Sequence, residues 1–310
     1  STGGRGTEAG TILSMTVPNN PAKPSANEVL KERDPTLAGT IAQTLADPQA
    51  DHFVEDDTQF LKFHGIYQQD DRDLRKTGKK YILMLRCRIP GAPLTPAQYL
   101  ACDDLATRYA NDTLRVTSRQ GFQFHGVVKG GLRALVKEIN DALLGTLAAC
   151  GDVNRNVMAP PTPAMNKLGE QVQEHARQAA AAVLPRTQAY HSIWIEGAPL
   201  DLEDKANKDF VDPLYGKTYL PRKFKIAFAI PPLNDIDIFT NCCGFIAIGD
   251  GSGKLFGYNL TVGGGMGRSH GNVATFPRLA DVIGFLPAEK VVDVAKAVLT
   301  IHRDFGSRTD

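Results

Sequence analysis

The sequence predicts an α+β protein: a half-domain of the ferredoxin-like kind followed by a mixed α/β domain. Three observations carry this. Between Lys79 and Ala149 the hydrophobic pattern runs in the order β-α-β-β-α, which is most of a split-βαβ unit. Within it, Leu114–Val127 (LRVTSRQGFQFHGV) reads as two short strands meeting at Gly121, because polar and apolar residues alternate along it. Beyond Ala164, helical and strand patterns mix: an Ala- and Gln-rich helix, several apolar strands and a closing amphipathic helix.

Residues 1–50 are rich in Pro, Ala, Asp and Thr, and Pro18, Pro21, Pro24 and Pro35 favour an extended N-terminal arm over a packed element. Ser25–Leu30 and Asp34–Leu45 offer two short helices, the second with Asp34 as cap and Pro35 at its first position. Phe60–Asp73 reads as a strand or extended segment running into a polar loop. His64 within it has no second ligand nearby and is read as packed or hydrogen-bonded. Residues 51–150 make up the half-domain. Lys79–Ile89 is a strand, and Thr95, with Pro96 behind it, opens a helix to about Ala110. A second helix covers Gly131–Ala149, with Leu132, Leu135, Val136, Ile139, Leu143, Leu144 and Leu147 on the helical period. The unit's last strand is missing locally or comes from elsewhere in the chain.

Gly151–Pro163 is a loop, since its prolines exclude helix, and two amides flank Arg155. The domain boundary falls here, and the second domain takes residues 151–310. Its expected elements are a helix over Ala164–Val183, a strand over Tyr190–Glu196 and a polar excursion over Asp201–Tyr215. Strands follow over Lys223–Ile230, Cys243–Ile248 and Phe256–Val262, then a turn at Gly263–Gly265 and a helix over Pro287–Phe305. The glycine turn permits positive φ or close backbone approach to a ligand, and a generic turn explains it equally well.

The 310 residues are 42% apolar and 22% charged, with a net charge of +1. That balance gives no overall pull toward nucleic acid or an anionic membrane, so anion recognition rests on local clusters. No apolar run approaches the roughly 18 residues of a membrane span. The five cysteines, Cys87, Cys102, Cys150, Cys242 and Cys243, form no C-x-x-C pair. Their odd number and wide spacing argue against a disulfide framework and fit a reducing, cytoplasmic compartment; they read as structural, with no metal ligands among them. The glycine turn lacks the spacing of a dinucleotide or phosphate-loop fingerprint, which excludes nucleotide binding. The start at Ser1, with Met15 as the expected true beginning, and the Arg-Thr-Asp end both read as those of a fragment.

The cations are arranged differently from a solvated surface. On the first strand of the opening pair, Arg115, Thr117 and Arg119 share a face, with Gln123 and His125 nearby on the second. Arg86 and Arg88, Arg155, and Lys223 and Lys225 also lie in strands or a positioned loop, without matching acids in the same stretches. A charge in an apolar strand is costly unless paired. Singly, each cation reads as solvated; as a set, they point to an anion-lined cavity between the two domains.

These residues sit in blocks that resemble the haem-protein subunit of sulfite reductase, in the sulfite/nitrite reductase family. The blocks are Phe63–Asp73 (FHGIYQQDDRD), Leu85–Pro90 (LRCRIP), Leu114–Gly126, Gly151–Val157 (GDVNRNV), Tyr219–Lys225 (YLPRKFK), Pro231–Ile238 (PPLNDIDI), Asn259–Gly265 (NLTVGGG) and Asp304–Asp310 (DFGSRTD). The resemblance implies six-electron reduction of sulfite to sulfide at a sirohaem next to a [4Fe–4S] cluster, and makes residues 151–310 an incomplete sirohaem-binding domain. By match, Arg86, Arg155, Lys223 and Lys225 would bind the oxyanion and supply protons. Arg115, Thr117, Arg119, Gln123 and His125 would meet the sirohaem. Asn154 and Asn156 would hold Arg155 and the macrocycle edge, and Gly264 and Gly265 would approach the cofactor. Asn154 before Arg155, and Lys225, favour sulfite over nitrite as substrate. The electron donor would be an NADPH flavoprotein subunit or a ferredoxin. One departure stands out: the family's C-x5-C and C-x3-C cluster ligands are not in this sequence. The resemblance therefore places the cluster ligands in a missing C-terminal part, and the chain alone is expected neither to assemble the cluster nor to bind sirohaem well.

Overall fold

The structure, a computed structural model, describes residues 23–71, 73–91, 93–162, 166–268, 271–273 and 275–309. The first 22 residues of the predicted arm, with Pro18, Pro21 and Met15, lie outside the described residues, as does the expected start of the Ala164–Val183 helix. Residues 23–50 are not extended. They carry α1 (Ala26–Arg33) and α2 (Ile41–Ala46), and Leu30, Leu37, Ala38 and Ile41 are buried in the core. Apolar burial outweighs the proline content here, because the prolines fall outside the helices. Lys31 of α1 is buried against Glu28 and reaches Asp152 and the Leu220 carbonyl, while Arg308 closes onto Glu28 from the other end of the chain.

The first sheet has the order β1-β2-β4-β3, with every pair antiparallel. Its strands are β1 (Ile66–Asp70), β2 (Tyr81–Cys87), β3 (Leu114–Val116) and β4 (Phe122–Val127). The strand missing from the predicted unit is β1, which precedes the unit and pairs with the outer edge of β2. The expected strand at Phe60–Asp73 thus splits: its aromatic start belongs to α3 (Glu55–Phe63), and only Ile66–Asp70 is extended. One sheet face packs Leu83, Leu85, Cys87, Phe122 and Phe124 into the core with α4 (Pro96–Tyr109) and α5 (Lys129–Asp141). At α4, the Thr95 hydroxyl accepts from the Gln98 amide and the Gln98 side chain reciprocates, with Pro96 in the first turn, as predicted. Helix α5 stops at Asp141, short of the expected Ala149. Leu143 and Ala148 take positive φ, and the returning chain bridges Gly145 to Arg88. Of the leucines on a helical period here, Leu144 and Leu147 pack against the core from a folded-back turn, while Leu143 is exposed.

The second sheet runs β5-β6-β7-β8: β5 (Ile226–Ala229) is parallel to β6 (Cys243–Gly249), which is antiparallel to β7 (Leu255–Val262), and β8 (Asp281–Pro287) closes it. The sequence pattern did not reveal β8, whose apolar residues are largely exposed. Helices α6 (Lys167–Ala182) and α8 (Val291–Phe305) pack together beside this sheet, and a short α7 (Lys205–Lys208) lies in the polar excursion. Tyr190–Glu196 is not a strand. His191–Glu196 forms a π-helical turn, and Trp194 within it and Tyr190 just before it both pack edge-on against His64. The Trp194 indole donates to His64 Nδ1 at 2.7 Å, so His64 is a packed, hydrogen-bonded core residue, as its isolation in the sequence indicated.

Candidate functional site

Between the end of β2, the turn from Thr117 to Gly121 and the start of β5 lies a cavity of about 180 Å³. Its lining includes Arg86, Arg88, Arg119, Arg155, Lys223 and Lys225, and no carboxylate. Lys223 and Lys225 also border an adjoining groove of about 330 Å³, walled by Arg222, Cys242, Gly263–Gly267, Phe276 and Arg278. The sequence-predicted quartet Arg86, Arg155, Lys223 and Lys225 therefore meets in one place, although its members are far apart in the chain.

Backbone pairing explains the meeting. Residues 152–158 run beside the segment leading into β5: the Arg155 amide donates to the Phe224 carbonyl at 2.9 Å, and the Met158 amide to that of Ile226 at 3.2 Å. Arg155 is thereby set next to Lys223 and Lys225. Its Nε donates to the Gly151 carbonyl at 2.8 Å, which leaves most of its fork for the cavity. Arg86 enters from β2, where register places it opposite Gln123, itself opposite Arg115 on β3. With the Gln123 amide oriented to suit its neighbours, its oxygen accepts from Arg86 Nη2 at 2.6 Å and Nε at 3.1 Å, and its nitrogen donates to His125 Nε2 at 3.1 Å.

The electrostatics follow from crowding. Burial, and then neighbouring cations, lower the pKa of Lys223; burial and Arg119 do the same for Lys225, partly offset by Cys242. Burial lowers Arg119 to about 10 and Arg88 to about 10. Bringing an anion into such a field relieves repulsion among the cations themselves.

The other predicted residues take several positions. Thr117, Arg119 and Asn156 line the cavity. Arg119 lies in the turn rather than on β3, and is largely engaged with the protein: Nη1 donates to Asn241 Oδ1 at 2.9 Å and contacts Met158 Sδ at 3.1 Å, and Nη2 donates to the Ile226 carbonyl at 2.8 Å. Asn156 Nδ2 donates to the carbonyls of Ile89, Arg119 and Gln120. Asn154 is buried behind Arg155 and donates to its carbonyl at 2.8 Å. Gly264 and Gly265 line the groove, where a Cβ on Gly264 would stand 2.2 Å from the Phe239 carbonyl oxygen. Exposed Arg115, with Gln123 and His125, lies on the open sheet face beside Arg86, outside the cavity lining. Sequence reasoning gave no role to Ser118, Arg222, Arg278 or Cys242; adjacency to Lys223 was the available signal for Arg222.

Two family models match. "Nitrite/Sulfite reductase ferredoxin-like half domain" covers residues 75–142, and "Nitrite and sulphite reductase 4Fe-4S domain" covers residues 175–310. The sulfite reductase [NADPH] hemoprotein beta-component of Staphylococcus haemolyticus is 48% identical over 293 residues, covering 92% of this chain and 50% of that protein. The protein of the same name from Myxococcus xanthus is 48% identical over 298 residues, covering 94% and 52%. The chain belongs to the nitrite and sulfite reductase family. It spans about half the length of the curated relatives it matches. Solved structures agree on the fold: Mycobacterium tuberculosis NirA superposes with a TM-score of 0.69 at 23% identity, over 93% of this chain and 48% of that one. Dissimilatory sulfite reductase I gives a TM-score of 0.53 at 13% identity, over 79% and 68%.

The two prosthetic groups suggested by these family and relative names fare differently here. The cavity and groove fit an anionic macrocycle: a cavity lined by cations and no carboxylate, buried Arg88 Nε, Arg119 Nε and Asn156 Oδ1 atoms lacking partners, and apolar Met266 and Phe276 at the groove's rim. The thiols do not fit an iron–sulfur cluster. Among the described residues no group of three or more His, Cys, Asp or Glu side chains is placed to hold a metal.

Proposed function

We propose that this chain forms the oxyanion-binding wall and part of the sirohaem seat of an assimilatory sulfite reductase that reduces sulfite to sulfide. The observation that carries this reading is the convergence of Arg86, Arg155, Lys223 and Lys225 on one acid-free cavity. Sulfite is a small dianion, and several cations held rigidly around it neutralise its charge without the reorganisation that water would need. Each S–O bond cleaved must leave with protons, and ammonium groups whose pKa is lowered by burial and crowding release them more readily than ordinary lysines. Arg155 and Arg86 orient the oxyanion through their planar guanidinium forks. When bound, a sirohaem would supply the iron that takes the sulfite sulfur and the path for electrons. Residues 151–310 would hold one side of it, with Arg115, Thr117, Arg119, Gln123, His125 and Asn156 facing its carboxylates and Gly264–Gly265 giving close approach. The relatives' name supports an NADPH-linked flavoprotein as electron donor, and the free cysteines support a cytoplasmic setting. Among the described residues no helix is long and apolar enough to cross a membrane.

The test uses the whole hemoprotein. Arg155→Ala or Lys223→Ala is expected to lower sulfite turnover ~100-fold while haem content per protein stays at the wild-type level. Loss of haem instead would make these residues structural, and a clear preference of the wild type for nitrite would overturn the choice of substrate.

A further inference from the structure

Arg86 is held by a residue that the proposed function leaves without a role. Its Nη1 donates to Cys150 Sγ at 3.1 Å. Cys150 is fully buried, in the returning chain just before the Arg155 loop, and next to cavity-lining Ala149. Tyr67 on β1 lies on the same side: its ring is 6.0 Å from the Arg86 guanidinium carbon, and its hydroxyl faces the Cys150 sulfur. Gln123 takes the opposite edge of the guanidinium through Nε and Nη2. A guanidinium has five N–H donors in a rigid plane. Three are engaged by Gln123 and Cys150, which leaves one on Nη1 and one on Nη2 for an oxyanion.

We propose that Cys150, backed by Tyr67, is a positioning residue for Arg86: the sulfur fixes the plane of the guanidinium so that its free edge faces the bound oxyanion. This rests on reading the cavity as the sulfite site. The sulfur suits the role because it is soft, buried and a weak acceptor, so it orients Arg86 without competing for it as a carboxylate would. A carboxylate here would neutralise the cation that the substrate needs.

The experiment compares Cys150→Ala, Cys150→Ser, Tyr67→Phe, Arg86→Ala and the Arg86→Ala/Cys150→Ala double variant in the whole hemoprotein, with a chemical reductant as electron source. Cys150→Ala is expected to raise the sulfite KM about tenfold with a much smaller change in kcat and unchanged haem absorbance. Cys150→Ser, which restores an acceptor, recovers most of that loss, and Tyr67→Phe gives a smaller effect in the same direction. The double variant is expected to be no worse than Arg86→Ala alone, since Cys150 acts through Arg86. A crystal structure of the Cys150→Ala protein supplies the readout independent of turnover, with the Arg86 guanidinium displaced. An Arg86 that stays in place, an unchanged KM, or additive losses in the double variant overturns the positioning role. Wild-type sulfite kinetics in Arg86→Ala overturn the reading of the cavity, and the positioning role with it, and that result is separable from the Cys150 arms.

Discussion

Arg119 offers a quantitative test of how the cavity is held together. It arises in the turn of the first sheet and donates into the second, to Asn241 Oδ1 at 2.9 Å and the Ile226 carbonyl at 2.8 Å. Replacing it with Met keeps an unbranched apolar stem and removes both bonds. Hydrogen bonds from a charged donor contribute about 1.5–3 kcal/mol each, so roughly 3–6 kcal/mol is lost. Burial, however, pulls this guanidinium from its ordinary value down to about 10, and removing the charge relieves about 3 kcal/mol of that desolvation. The net expectation is a destabilisation of about 2 kcal/mol. Urea unfolding, followed by the fluorescence of the single, buried Trp194, should show the midpoint falling by roughly 1 M. A midpoint that is unchanged or raised would refute the bracing role.

Three further outcomes are expected. Burial holds His64 at about 3 instead of 6.5, so the unfolded chain takes up a proton that the folded one refuses. Stability is then full above about pH 6.5 and falls by about 1.4 kcal/mol per pH unit below it, until about pH 3; unfolding across that window should show a flatter slope for His64→Gln, and parallel slopes would sink the assignment. Because Lys223 and Lys225 are held below the ordinary lysine range, oxyanion binding should weaken as pH rises through their lowered pKa values, and Lys223→Arg should move that alkaline limb upward in a KM–pH profile. Gly121→Ala would set a Cβ 2.6 Å from the Cys87 carbonyl oxygen, and is expected to cost about 1–3 kcal/mol in thermal or urea unfolding.

Much of this architecture was legible because local rules and tertiary context agreed. Thr95-Pro96 announced α4, and the alternation in Leu114–Val127 announced β3 and β4. The failures have physical causes. Tyr190–Glu196 carries a pattern that suits a strand, but burying Tyr190 and Trp194 around His64 requires a π-helical turn. The Leu-rich tail after Asp141 keeps a helical period, yet Leu143 adopts positive φ so that the chain returns to Arg88. At the site, the quartet of cations was visible as residue types in unusual places. That Arg119 braces two sheets, and that Cys150 meets Arg86, depends on partners 122 and 64 positions away, and no local pattern encodes such distances.

The buried Lys31 has a practical consequence for anyone shortening this protein. Its ammonium reaches Asp152, at the root of the Arg155 loop, and the Leu220 carbonyl, just ahead of Lys223. A chain trimmed to begin at residue 75, where the first matched family segment starts, would discard that clasp together with α1. Both sheets would still have their strands beyond β1, but the two chain segments that deliver Arg155 and Lys223 would lose their shared tether. Such a truncation risks a protein that is folded by circular dichroism yet slack at the cavity, and its poor anion affinity would be mistaken for a property of the site rather than of the missing helix.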